Sequence, residues 1–197
     1  MIRDYAPLPF AGLPQGSSYA QPSQPIVDRV QLDSPASEAM TDLTRVTAVI
    51  VLAGDTVDEA YRRMIQRSVK LLLVVDQDRK VMGVITATDL SGEKPVQVAV
   101  QQGLHRDEVT VRSVMTPYSN LRVLDMEQVR NAKVGHIVAT LKHAGRQHTL
   151  VVDKNTKGDF RIRGIFSTTQ IFRQLGMAVP AGGMANTFAE LEAQLAR

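Results

Sequence analysis

The sequence predicts an α+β fold made of two tandem β-α-β-β-α repeats packed as a pseudo-twofold module, because the chain matches itself in three places. At an offset of 77 and without a gap, residues 56–76 lie on 133–153, pairing Val57 with Val134, Ala60 with Ile137, Tyr61 with Val138 and Met64 with Leu141. The same offset lays Leu73-Val74-Val75-Asp76 on Leu150-Val151-Val152-Asp153. Upstream, Ala39-Met40-Thr41-Asp42 matches Val114-Met115-Thr116-Pro117 at an offset of 75. Downstream, Gly83-Val84-Ile85-Thr86-Ala87-Thr88-Asp89 matches Gly164-Ile165-Phe166-Ser167-Thr168-Thr169-Gln170 at an offset of 81. Such self-similarity marks a duplicated supersecondary unit that buries its apolar face against its copy. The step from 77 to 81 puts four extra residues around Asn155 to Phe160, in a hairpin turn, where insertions are tolerated.

In chain order, residues 1–38 read as a flexible arm. Six of the nine prolines lie there with Gln, Ser and Gly, a composition too poor in apolar side chains to offset ordering entropy. The alternative is that Ile26, Val27, Val30 and Leu32 lay an extended segment on the folded part. Repeat 1 is assigned to 39–108. It opens with a β-branched strand from Val46 to Leu52, followed by a helix started by the capping box Thr56 and Glu59, with Val57, Ala60, Tyr61, Met64 and Ile65 on one face. Leu71 to Val75 is a buried strand, Asp76 to Arg79 a polar turn, and Lys80 to Ile85 the returning strand. Repeat 2 is assigned to 109–178, with Met126 to Ala132 open between a helical turn and an extended piece. Residues 179–197 form a linker and a short amphipathic helix with Phe188, Leu191 and Leu195 on one side.

Composition narrows the function classes. The apolar runs are far shorter than the roughly 18 residues a membrane span needs, and the N-terminus does not read as a secretory signal, so a cytoplasmic protein with no membrane association is expected. The absence of cysteine removes disulfides, thiolate catalysis and thiolate metal sites. The four histidines, at 105, 136, 143 and 148, lack metal-ligand spacing, so no metal site is assigned. A net charge of +3, not gathered into a basic run with aromatics, gives no nucleic-acid signature and leaves a small anion as a ligand.

The chemistry gathers at Gly83 to Leu90, where a strand runs straight into a helix and places Thr86, Thr88 and Asp89 at the junction. A helix start offers unpaired N–H groups and positive dipole, so this cluster can cap the helix or hold a phosphate and a ribose. The chain resembles the tandem CBS-domain family, named after cystathionine β-synthase. The resemblance covers about residues 39 to 176 and rests on the two Met-Thr segments, the run Leu71 to Asp76 with its copy at 150–153, and the two glycine-initiated junctions. It implies an adenosine-containing ligand, such as AMP, ADP or ATP, in the cleft between paired CBS repeats. Asp89 would then accept from the ribose hydroxyls, Thr86 would contact phosphate, and Thr88 would sit at the same helix start. A carboxylate suits two cis hydroxyls but repels phosphate, so ribose must lie between Asp89 and the phosphates.

The second junction, with Ser167, Thr169 and Gln170, departs from the pattern because Gln170 stands where the acid belongs. A neutral, longer side chain there predicts weaker binding or none. Lys70, Arg146 and His148, near the starts of the two equivalent strands, are candidate phosphate partners, and each also suits a solvated strand end. Three functions follow. The first is a regulatory module that needs no cofactor and senses an adenosine nucleotide by changing conformation or partner binding. The second is a scaffold of the same fold that has lost its ligand, with the arm and terminal helix as contact elements for an unidentified protein partner. An enzyme is disfavoured, because no phosphate loop, nucleophile elbow or metal cluster is present in the sequence. The resemblance further implies a homodimer.

Overall fold

The computed structural model describes residues 29–154 and 158–177. The described strands are β1 (Thr41–Asp42), β2 (Ile50–Leu52), β3 (Leu71–Val75), β4 (Val81–Thr86), β5 (Thr116–Pro117), β6 (Val123–Asp125), β7 (His148–Lys154) and β8 (Phe160–Ser167). Between them lie the helices α1 (Val57–Arg67), α2 (Ala87–Ser91), α3 (Lys94–Gln102), α4 (Val111–Val114), α5 (Met126–Arg130), α6 (Val134–His143) and α7 (Thr168–Gln174). They form two four-stranded sheets, ordered β2-β3-β4-β5 and β1-β8-β7-β6. In each sheet the central hairpin is antiparallel, β3 with β4 and β7 with β8, and a short strand pairs parallel to its first member. The α+β architecture and the duplication are therefore those the sequence predicts.

The sheets face one another. All five residues of β3 are buried. Leu72 and Val74 point into the helical core of repeat 1, while Leu71 and Leu73 join Val84, Leu150 and the partly buried Ile162 and Ile165 in a seam between the sheets. A strand covered on both faces needs apolar side chains at every position, which explains the unbroken Leu-Leu-Leu-Val-Val.

The repeats also exchange strands. β1 lies at the start of repeat 1 yet pairs with β8 of repeat 2, and β5, at the start of repeat 2, pairs with β4 of repeat 1. Each exchange passes over a junction glycine. A Cβ on Gly83 would lie 2.3 Å from the Thr116 carbonyl oxygen, and one on Gly164 would lie 2.3 Å from Met40 Sδ. The two glycines are thus sites of close approach by the incoming strand.

Several expectations change. The strand expected over Val46 to Leu52 is confined to Ile50–Leu52. Asp42 Oδ1 accepts from both Thr44 N and Thr44 Oγ1, and Arg45 N and Val46 N bond Asp42 O, so the preceding residues are wound into a turn. The capping box of α1 forms as expected: Glu59 N donates to Thr56 Oγ1 and Thr56 N to the Glu59 carboxylate. The bonds that the Glu59 carboxylate accepts from Thr56 N and Thr56 Oγ1 hold it below its usual pKa. Of its expected apolar face, Val57, Ala60 and Met64 are buried, but Tyr61 and Ile65 are 49% and 61% exposed, because the sheet and neighbouring helices cover a narrower stripe.

The flexible reading of the arm fails for residues 29–38. Val30 is buried, its N–H donates to Gln174 O, and Leu32 packs against the same core of repeat 2. Ala36 N bonds Ala132 O, and Pro35 bridges to Lys133. The equivalent bridge in repeat 1 joins Thr110 to Thr56, so residues 29–40 do for α6 what the stretch before β5 does for α1. Ile26, Val27 and the terminal helix expected over Asn186 to Arg197 lie outside the described residues. Met126 to Ala132 resolves as α5 and its C-terminal turn. Asp125 caps it by accepting from Glu127 N at 2.8 Å.

The exchange yields a stability prediction. Gly83→Ala drives a methyl into backbone and is expected to cost about 3 kcal/mol, while Gly164→Ala meets a flexible Met side chain and costs about 1 kcal/mol. Urea unfolding of the two variants should rank them in that order; equal losses would contradict the close approach of β5.

Candidate functional site

One cavity of about 480 Å³ opens between the repeats, beside the end of β4 and the start of β7. Repeat 1 contributes Thr86, Thr88 and Asp89, and repeat 2 contributes Arg122, Arg146 and His148. Leu71, Val84, Leu121 and Leu150 supply apolar wall, and the exchanged strand β5 supplies Thr116. A half-apolar cleft with a few convergent polar groups is what a small-molecule site requires.

The junction side is rigid for local reasons. Thr86 is the N-cap of α2. Its Oγ1 accepts from Asp89 N at 3.2 Å, while Asp89 Oδ2 accepts from Thr86 N at 2.9 Å and from Thr86 Oγ1 at 2.7 Å. Asp89 therefore caps the helix and also lines the cavity, so the two roles the sequence left open coexist. Both bonds fall on the same oxygen, and among the described residues none is given to Oδ1.

The facing side comes from the turn after α6. Gly145 has φ of +60°, a conformation that favours glycine, and the chain reverses there to present Arg146 and His148. His148 is held neutral at physiological pH. Burial disfavours its charged form, the nearby Lys70 ammonium adds repulsion, and together they lower its pKa to about 4. As a candidate phosphate partner, His148 thus offers a neutral donor without a positive charge. Lys70 is exposed and is not among the cavity-lining residues, although its charge is felt at the imidazole.

Ser167, Thr169 and Gln170 also stand apart from the cavity. Gln170 Oε1 accepts from Thr41 Oγ1 at 2.9 Å, so the residue in the acid's place is engaged by the exchanged strand β1. Beside it, Asp42 pairs with Arg163. The repeat offset extends the contrast. Subtracting 77 from Arg146 and His148 gives Val69 and Leu71, with Lys70 between them, so the positions equivalent to the arginine and the histidine are apolar and the position equivalent to Asp89 is Gln170. Arg122 and Thr116 escaped the sequence reading. Arg122 lies in no motif, and Thr116 belongs to a segment whose strand exchange no local pattern reveals.

Comparison with known proteins accords with this architecture. Residues 36–94 match the family model described as CBS domain. Its fold is shared with an uncharacterised conserved protein from Pyrococcus horikoshii, at 22% identity and a TM-score of 0.54 over 78% of this chain and 100% of that one. It is also shared with CBSX2 of Arabidopsis thaliana, solved in complex with AMP, at 20% identity and a TM-score of 0.51 over 71% and 94% of the two chains. A third likeness is to the CBS domain of a bacterial CNNM/CorC family Mg2+ transporter, at 18% identity and a TM-score of 0.51 over 76% and 79%. No described helix is long and apolar enough to cross a membrane.

The lowered pKa of His148 has a thermodynamic consequence. Between about pH 4 and 6.5 the unfolded chain binds this proton and the folded chain does not, so the residue's contribution to stability is present above pH 6.5 and lost as pH falls toward 4. Thermal unfolding at pH 7.5 and 4.5 should show a smaller acid-induced drop for His148→Gln than for the wild type. Identical drops would contradict a buried neutral imidazole.

Proposed function

We propose that the protein is a regulatory module that binds an adenosine nucleotide between its repeats and transmits occupancy as a change in conformation or partner binding. One observation carries this reading: a single cavity joins the strand-to-helix junction bearing Thr86, Thr88 and Asp89 to the Arg146-to-His148 turn of the other repeat. A ligand filling it touches both repeats, so its affinity depends on how they are placed, and such differential affinity is what regulation requires. The AMP complex of CBSX2, which has the same fold, supports the choice of ligand. Asp89 Oδ1 is suited to the ribose hydroxyls, with the phosphates directed away from it toward repeat 2. The module is not an enzyme in this reading and needs no cofactor. A cytoplasmic setting belongs to the same reading.

A second reading, a scaffold of the same fold, draws on two features. Asp89 is already engaged in a helix cap, and the first repeat exposes Tyr61 and Ile65 on α1 with Val96 and Val100 on α3. Exposed apolar faces of this kind suit a homodimer or a protein partner. Light scattering with and without nucleotide separates the readings, because a pure scaffold keeps its oligomeric state in both.

Calorimetry with AMP, ADP, ATP, S-adenosylmethionine and NADH tests the main proposal. At least one nucleotide should release heat with the wild type. Asp89→Ala should weaken it by about tenfold or more, the usual loss with one charge-assisted hydrogen bond. Asp89→Ala also removes the α2 cap, at a cost of about 1 kcal/mol, so its fold is to be checked first. No heat with any of these compounds would sink the proposal.

A further inference from the structure

We infer that Lys94 is a positioning residue that couples the cleft to helix α3: its ammonium holds the exchanged strand β5, and with it Thr116, at the cavity wall, and so carries occupancy from the cleft to α3. The inference rests on the ligand reading above and adds the route by which occupancy leaves the site. Its basis is a closed loop of contacts along one wall of the cavity. Thr86, Thr88 and Asp89 line the cavity from the start of α2, and α2 stops after five residues, where Gly92 N bonds Thr88 O. A Cβ on Gly92 would lie 2.9 Å from that same oxygen, so the chain turns tightly there into α3. Lys94 is the first residue of α3, and its Nζ donates to Val114 O and, at 3.4 Å, to Met115 O. The next residue, Thr116, lines the cavity on β5.

Val114 ends α4, so these carbonyls lie past the last turn of that helix, where a lysine ammonium suits both the open acceptors and the negative end of the dipole. On its other side β5 is fixed to β4, where Gly83 leaves room for Thr116 O. Thr116 is therefore placed by backbone at one edge and by one exposed, flexible side chain at the other. Repeat 2 holds its exchanged strand differently. Adding 81 to Lys94 gives Leu175, and the segment before β1 is held instead by the buried Gln174, whose Nε2 donates to Glu38 O. A buried amide makes a fixed contact, whereas an exposed ammonium makes one that can form and release. The releasable contact belongs to the repeat that carries Asp89. A ligand that touches Thr116 binds better when the contact is made, and by reciprocity its binding strengthens the contact and orders the start of α3.

The test is calorimetric titration of the full chain with AMP and ATP, on the wild type, Lys94→Met, Lys94→Arg, Thr116→Val and the double variant Lys94→Met/Thr116→Val. Lys94→Met should weaken binding by about tenfold, the loss expected with one hydrogen bond from a charged group, and Lys94→Arg should restore most of it. On the Thr116→Val background the same change should cost less than about twofold, because non-additivity marks a residue that acts through its neighbour. A lysine that only stabilises the fold would lower the urea midpoint and leave affinity alone. Equal losses of affinity on both backgrounds, or no loss on either, would overturn the inference and leave the adenosine site standing. Amide hydrogen exchange gives a second readout that needs no variant. Bound nucleotide should slow exchange in the wild type over Lys94 to Gln102 as well as over Gly83 to Leu90, and protection confined to the latter would overturn the inference alone. Absence of binding by both nucleotides would overturn it together with the reading on which it rests.

Discussion

The exchange of two short strands is the constraint on which the rest depends. β1 and β5 are two residues each, yet each closes the sheet of the other repeat beside a glycine, which at Gly83 meets backbone and at Gly164 the Met40 side chain. Neither sheet is complete without the other half of the chain, and the seam of Leu71, Leu73, Val84 and Leu150 depends on the same mutual placement. The cleft inherits this geometry. Thr116 reaches it on β5, while Thr41, the corresponding residue of β1, is bonded to Gln170.

Duplication makes the two junctions comparable, and their surroundings differ. On one side a capping carboxylate faces two arginines and a neutral imidazole. On the other, glutamine, valine and leucine occupy the corresponding positions, and the glutamine is tied to the exchanged strand. A change at one position is a single substitution. Around the second junction two of the equivalent positions are apolar and the amide oxygen of Gln170 is already occupied by Thr41, so that junction serves as a contact between the repeats.

Much of this was legible before any coordinates. The repeat, the α1 capping box and the buried Leu71 to Val75 run are local patterns, and local patterns survive folding because they set backbone geometry directly. Thr86 and Asp89 were legible as a pair for the same reason, being three residues apart at a helix start. The exchange was not, since a two-residue strand has no periodicity and its partner lies far along the chain. Nor could sequence show that Thr41 bonds Gln170, that Arg122 joins the cavity, or that burial keeps His148 uncharged. Each depends on long-range placement. The exposure of Tyr61 and Ile65 has the same origin: amphipathic spacing states which face is apolar, and only packing decides how much of that face is covered.

The central claim is an asymmetric module with one ligand site, built on Asp89 and shared between repeats. Its most direct test is an AMP titration followed by amide chemical shifts. The account predicts saturable shifts at Gly83 to Leu90 and at Arg146 to Leu150, with Ser167 to Ile171 unmoved or following only weakly. Equal saturation of both junctions would contradict the asymmetry, and shifts confined to Ser167 to Ile171 would contradict the assignment of the site to Asp89.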